Sequence, residues 1–128
     1  MGVLATGWLR LGEIDRARGA IEAALAFSEQ HDELWCHAEL VRIQGEVAQA
    51  GNDASAAEGL FEAAIAEARE REALGWELRA AANLGRLWIG HGKRNAAQAL
   101  LETVYAQFSE GFATADLMAA HELLQSLR

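Results

Sequence analysis

The chain has 128 residues, 52% of them apolar, and a formal net charge of −8. That length and apolar share suit one domain with a sizeable core and argue against a disordered chain. The acidity argues against nucleic acid or an anionic membrane surface as partner, since both need a basic face that displaces counterions.

Proline is absent and alanine, leucine and glutamate dominate, so helix is favoured throughout: these side chains lose little freedom in a helix and no residue removes a backbone donor. The one cysteine, Cys36, rules out an internal disulfide and fits a reducing, cytoplasmic compartment. No apolar run is long enough to span a bilayer, and the N-terminus lacks a charged stretch followed by an apolar one, so neither anchor nor secretion is expected. Met1 to Thr6 matches the short myristoylation pattern, but these residues also fit the helix repeat that follows.

Along the chain, the first punctuation is Gly12, and comparable glycines recur at Gly51 and Gly92, spaced by 39 and 41 residues (12, 51, 92). A period in that range points to stacked supersecondary units. Four residues before each glycine stand Trp8, Val47 and Trp88, and eight before stand Leu4, Ile43 and Leu84. After the glycines come Ala17 and Ile21, Ala57 and Phe61, and Ala97 and Leu101, with one extra residue in the middle turn. A small residue followed four later by a large one places both on one helix face, where alanine admits the neighbouring helix and the larger side chain fills the groove. Each unit therefore reads as helix, turn, helix, with boundaries near 1–31, 32–72 and 73–109. A capping helix follows at about 114–127, with Thr114 as N-cap, Leu117, Ala120, Leu124 and Leu127 on its apolar side, and Glu122, Gln125 and Arg128 on the other. Trp8 and Trp88 fall on the packing position and are expected in the core; Trp35 and Trp76 open their helices and are expected to pack there.

The residues that carry chemistry elsewhere find no supporting pattern here. Cys36 and His37 are adjacent and diverge on a helix, and His121 starts a metalloprotease-like stretch that has Gln125 where the second histidine belongs. His31 and His91 read as turn residues. Gly85 to Arg94 superficially suggests a phosphate loop, but His91 stands where the lysine should follow Gly90, and no strand precedes it. Ser28, Ser55, Ser109 and Ser126 lie outside any nucleophile-elbow pattern. Glu58, Glu62, Glu67, Glu70 and Glu72, interleaved with Arg69 and Arg71, read as a solvated face. The sequence thus predicts no catalytic function, no metal and no cofactor.

The motif resembles the tetratricopeptide repeat family, whose pattern is W-x2-L-G-x2-Y, then A-x3-F, then P. The third unit matches with Ala81-x2-Leu84-Gly85-x2-Trp88 and Ala97-x3-Leu101. The first matches with Met1-x2-Leu4-Ala5-x2-Trp8 and Ala17-x3-Ile21, and the second with Leu40-x2-Ile43-Gln44-x2-Val47 and Ala57-x3-Phe61. The terminal proline is missing and the period of about 40 exceeds the family's 34 residues, which leaves room for longer helices. The resemblance, covering Met1 to about Tyr105, implies an all-α, right-handed α-solenoid of about seven antiparallel helices, three helix pairs plus the C-terminal cap.

Glu77-Leu78-Arg79-Ala80-Ala81, and Phe108 to Phe112 before a last short helix, further resemble the C-terminal repeat region of large bacterial signalling proteins. Those proteins join an NTPase to a nucleotide-cyclase or DNA-binding module, so the 128 residues would be a fragment of a longer protein. The late start of the first helix points the same way. It also leaves apolar surface around Ile21 and Leu25, which predicts self-association, a homodimer through the truncated N-terminal end.

Arg79, Asn83 and Arg86 follow at spacings of four and three along one stripe of a helix, opposite Leu84 and Trp88. The resemblance implies that this helix lines a concave groove whose matching positions bind peptide carboxylates, with Arg42 joining from the second unit. Guanidinium groups suit that task as rigid donor forks. The competing reading pairs each arginine with local glutamates, Arg42 with Glu39 or Glu46. The expected function is a non-catalytic scaffold that binds peptide segments, or other domains of its parent chain. The alternative is a small-ligand-sensing module controlling an attached enzyme or DNA-binding domain, which would need an enclosed apolar pocket.

Overall fold

The helix-favouring composition is expressed almost without interruption. The computed structural model describes residues 6–7, 9–30, 37–107 and 115–127, and within them six α-helices follow one another: α1 (Ile14–Gln30), α2 (His37–Ala50), α3 (Ala54–Glu70), α4 (Leu74–Gly90), α5 (Arg94–Tyr105) and α6 (Ala115–Leu127). Helical backbone also occurs at residues 6–7 and 9–10, where the opening helix is expected. The cap helix begins at Ala115, and its expected N-cap, Thr114, lies outside the described residues. The all-α class therefore holds, with six of the seven expected helices present as full elements among the described residues.

One turn geometry joins these helices again and again. After α2, Asn52 takes φ 64°; its N–H donates to the Gln49 carbonyl at 3.0 Å, and Asp53 N–H donates to the Ala48 carbonyl at 2.9 Å. After α3, Glu72 takes φ 56°, with Glu72 N–H donating to Arg69 at 3.1 Å and Ala73 N–H to Ala68 at 2.8 Å. After α4, Gly92 takes φ 79°, with its N–H donating to Ile89 at 3.1 Å and Lys93 N–H to Trp88 at 2.8 Å. This is the Schellman arrangement, in which one left-handed residue lets two N–H groups satisfy the last open carbonyls of a helix. The next helix starts immediately: Asp53 also accepts a bond at Oδ1 from Ala56 N–H at 3.1 Å, capping α3.

The left-handed residues at 12, 52, 72 and 92 are multiples of 20 apart, and α1, α3 and α4 are each 17 residues long. From Ala54 to Lys93 the chain is thus two 17-residue helices, each followed by a three-residue turn, and this 20-residue spacing is half of the 40-residue repeat. This corrects the turn assignment at Gly51. The residue equivalent to Gly12 and Gly92 is Asn52, so the middle turn holds no extra residue. Asparagine tolerates the left-handed region, and a glycine beside it drew the register off by one. The correspondence upstream shifts accordingly: Gly45, and not Gln44, is the counterpart of Gly85, and Ala48, not Val47, that of Trp88.

By its internal contacts the chain divides into two units, Met1–Ala64 and Ile65–Arg128, with the division falling inside α3. In the first, α1 packs on α2 around Ala17, Ile21, Ala24, Leu40, Ile43 and Val47. Ile21 is fully enclosed and Leu25 partly so; among the described residues of this unit, Leu11 and Phe27 are large apolar side chains that are exposed. In the second, α4, α5 and α6 pack mutually, burying Leu78, Leu84, Leu101, Val104, Leu117 and Leu124. Arg94, at the start of α5, donates to the Ser126 carbonyl near the end of α6 at 3.1 Å. Trp88, expected in the core, is half-buried, as is Trp76.

Corresponding positions of the 40-residue register do the same work in both units. Ala17, Ala57 and Ala97 are fully buried, as are Ile21, Phe61 and Leu101. A Cβ on Gly45 would lie 2.5 Å from Cε1 of Phe61, and one on Gly85 would lie 3.0 Å from Cδ1 of Leu101. In these two hairpins the glycine of the first helix is therefore what allows the large side chain of the second helix to seat against its backbone.

Replacing Gly45 by alanine should therefore destabilise the protein by about 1 to 3 kcal/mol, because the overpacking cost exceeds the helix-propensity gain of about 1 kcal/mol. Gly59, also helical, has open space around its α-carbon, and Gly59→Ala should stabilise by about 0.5 to 1 kcal/mol. Urea unfolding followed by circular dichroism compares the two; a gain in stability from both substitutions contradicts the close packing at Gly45.

Candidate functional site

The four residues singled out from sequence stand in two settings. Arg42 lies on α2 in the first unit, one turn from Glu39 on one side and Glu46 on the other. Its Nε donates to Glu39 Oε2 at 2.9 Å and its Nη2 to Glu39 Oε1 at 2.6 Å, a bidentate fork, while Nη1 donates to Glu46 Oε1. The side chain is 13% exposed. Burial is the largest single influence on the guanidinium and acts to lower its pKa; the hydrogen bonds and charges of Glu39 and Glu46 outweigh it and hold the group above its ordinary value. Local pairing within α2, the competing reading of Arg42, is thus what the geometry shows for this side chain.

Arg79, Asn83 and Arg86 lie together on one stripe of α4, in the second unit. Arg79 and Arg86 are exposed and Asn83 is half-buried, while Leu78, Ala81, Leu84 and Gly85 turn into the core. Arg79 and Asn83 also interact with other groups of the protein. Arg86 forms no ion pair among the described residues. In the 40-residue register, Arg79 and Arg86 occupy the positions that Glu39 and Glu46 hold in the preceding repeat, and Ala82 that of Arg42. The same helical register thus carries acid, base, acid in one repeat and two arginines about an alanine in the next.

A polar cluster that the sequence reading passed over sits at the other end of α4. Glu77, in its first turn, is 1% exposed. Arg69, in the last turn of α3, donates from Nε to Glu77 Oε2 at 2.8 Å, and Gln107, just beyond α5, donates from Nε2 to the same oxygen at 3.4 Å. Arg69 was expected on a solvated face among α3 glutamates. It instead neutralises a buried carboxylate that ties the ends of three helices. The available signal was that Glu77 shares an i, i+4, i+7 stripe with Ala81 and Leu84, an apolar face where a carboxylate is tolerated only with a partner.

Among the described residues no group of three or more His, Cys, Asp or Glu is placed to hold a metal ion, and no helix is long and apolar enough to cross a membrane. Cys36 and His31 lie outside the described residues. Compared with known proteins, the chain matches no family model, and no curated protein matches it.

Removing Arg69 leaves the Glu77 carboxylate buried without its charge partner. Because Arg69 is itself half exposed, Arg69→Met should cost about 1 to 3 kcal/mol, below the range for a fully buried pair. Arg71 is a suitable control: it meets Glu67 at 3.5 Å with both partners partly exposed, and Arg71→Met should cost about 0 to 1 kcal/mol. Chemical denaturation measures both, and equal losses count against a buried role for Glu77.

Proposed function

We propose that this chain is a non-catalytic protein-interaction module, a tetratricopeptide-like helical scaffold that receives an acidic segment of a partner protein, or of another domain of a longer parent chain, along α4. The observation that carries the reading is the exposed pair Arg79 and Arg86, two turns apart on one helix stripe, in a chain whose net charge is −8. The two arginines are about 10 Å apart along the helix axis at 1.5 Å per residue, a spacing matched by carboxylates three residues apart in a polyproline-II segment, which share one face at about 3.1 Å per residue. Asn83, half-buried, lies between them on the same stripe.

The rest of α4 supports the reading by holding the stripe still. Its inner face is anchored through Gly85 on Leu101 and its first turn through Glu77 on Arg69, so a partner meets a pre-ordered surface and little entropy is lost on binding. Arg42 contributes less than the sequence suggests, because its donors are engaged by Glu39 and Glu46. The long-period repeat resembling signalling proteins fits regulation of an attached domain in cis.

The test uses the whole chain and the fluorescein-labelled hexapeptide Gly-Glu-Gly-Gly-Glu-Gly, whose carboxylates stand three residues apart, with its glutamine counterpart as control. Fluorescence anisotropy should show saturable binding of the glutamate peptide, weakening with salt, and the Arg79→Glu, Arg86→Glu double variant should bind at least about tenfold more weakly. Equal affinity for wild type and the variant overturns the assignment of the strip.

A further inference from the structure

A second surface in the same unit has a different chemistry. Tyr105, the last residue of α5, and Met118, His121 and Glu122 of α6 line an open depression of about 300 Å³. The three α6 residues stand at i, i+3 and i+4 and so share one face of the helix, beside the face on which Leu117, Ala120 and Leu124 are buried. Met118 is 53% exposed although large and apolar. The Tyr105 and His121 rings lie 6.1 Å apart, inclined at 34°, and His121 Nε2 is 3.5 Å from Gln125 Nε2. Glu122 is exposed and forms no ion pair among the described residues.

We propose that this depression binds a cationic side chain, the lysine or arginine of a partner protein. An aromatic face attracts a cation through its quadrupole, an exposed thioether covers the alkyl stem that lysine and arginine lay along apolar surface, and the Glu122 carboxylate receives the charged head. Among the described lining residues Glu122 alone carries a fixed charge, which repels an anion and attracts a cation, in a chain already at −8. The volume is at the lower limit for small-molecule pockets, about 300 to 1,000 Å³, and the depression is open, which suits one side chain reaching in from a docked surface. The proposal is independent of the α4 strip, which selects acid where this surface selects base.

The probe is the blocked tripeptide acetyl-Gly-Arg-Gly-amide, added to the full chain and followed by NMR at the Met118 methyl and the Tyr105 ring. Tyr105 is the one tyrosine and Met118 one of two methionines, so both signals are readily assigned. The arginine peptide should shift both signals saturably, and the norleucine and glutamate analogues should not. Glu122→Gln and Tyr105→Leu should each weaken binding about three- to fivefold, while Tyr105→Phe, which keeps the ring, should leave it unchanged. Glu122 is exposed, so its substitution separates loss of binding from loss of fold. Absence of a saturable shift overturns the proposal. So does an equal response to the norleucine peptide, which would mark a purely apolar surface, or full binding by Glu122→Gln.

Discussion

The close seating of a large side chain on a helix backbone, Phe61 on Gly45 and Leu101 on Gly85, is the contact on which the rest of the structure depends. In the α2–α3 and α4–α5 hairpins the second helix seats its large side chain where a Cβ is missing, since at Gly45 it would lie 2.5 Å from the Phe61 ring. With that approach made, Ala57 and Ala97 bury completely. The dispersion gained by such interdigitation is lost quickly over a gap of an ångström or less. A glycine interior to a helix carries a propensity cost of about 1 kcal/mol, and packing offsets it at two positions 40 residues apart (45 and 85).

The turns set the rhythm that brings those positions into register. The left-handed residues at 12, 52, 72 and 92 mark turns between helices, and their role is backbone geometry, which glycine fills most easily but not exclusively. That is why the repeat was legible in the sequence and its register only approximately so. Gly12 and Gly92 mark their turns correctly, while Asn52 hides behind Gly51, and Glu72 occupies the same conformation with no compositional sign at all, at a cost of about 1 kcal/mol. The buried alanines and their large partners four residues on were readable because they follow helical periodicity. The halving of the 40-residue unit into two 17-residue helices with equal turns was not, because the turn at Glu72 lacks a glycine.

The polar groups were less legible, because a charged side chain chooses among several partners that only the packed chain brings within reach. The spacing of Glu39, Arg42 and Glu46 allowed both a local ion triad and an outward-facing arginine, and the fold selects the triad. Arg69 has glutamates on its own helix yet bonds to Glu77 across a turn, since the buried carboxylate has more to lose without it. The stripe of Arg79, Asn83 and Arg86 stays together because it shares one helix, which periodicity does report. The Tyr105 and α6 surface joins residues 13 to 17 positions apart (105, 118, 121, 122), and no local pattern announces it.

The two surfaces on the second unit follow from this economy. Once the inner faces of α4, α5 and α6 are committed to packing, what remains outward on α4 is basic and what remains beside α6 is aromatic and acidic. The helices that carry them pack through the Gly85 contact with Leu101, which Gly45 and Phe61 repeat in the first unit. Nuclear Overhauser spectra of the full chain should show cross-peaks from the Gly45 α-protons to the Phe61 ring, with ring-current shifts on those protons, and from the Gly85 α-protons to the Leu101 methyls. Their absence at either glycine in a folded, helical protein would contradict the repeated close approach.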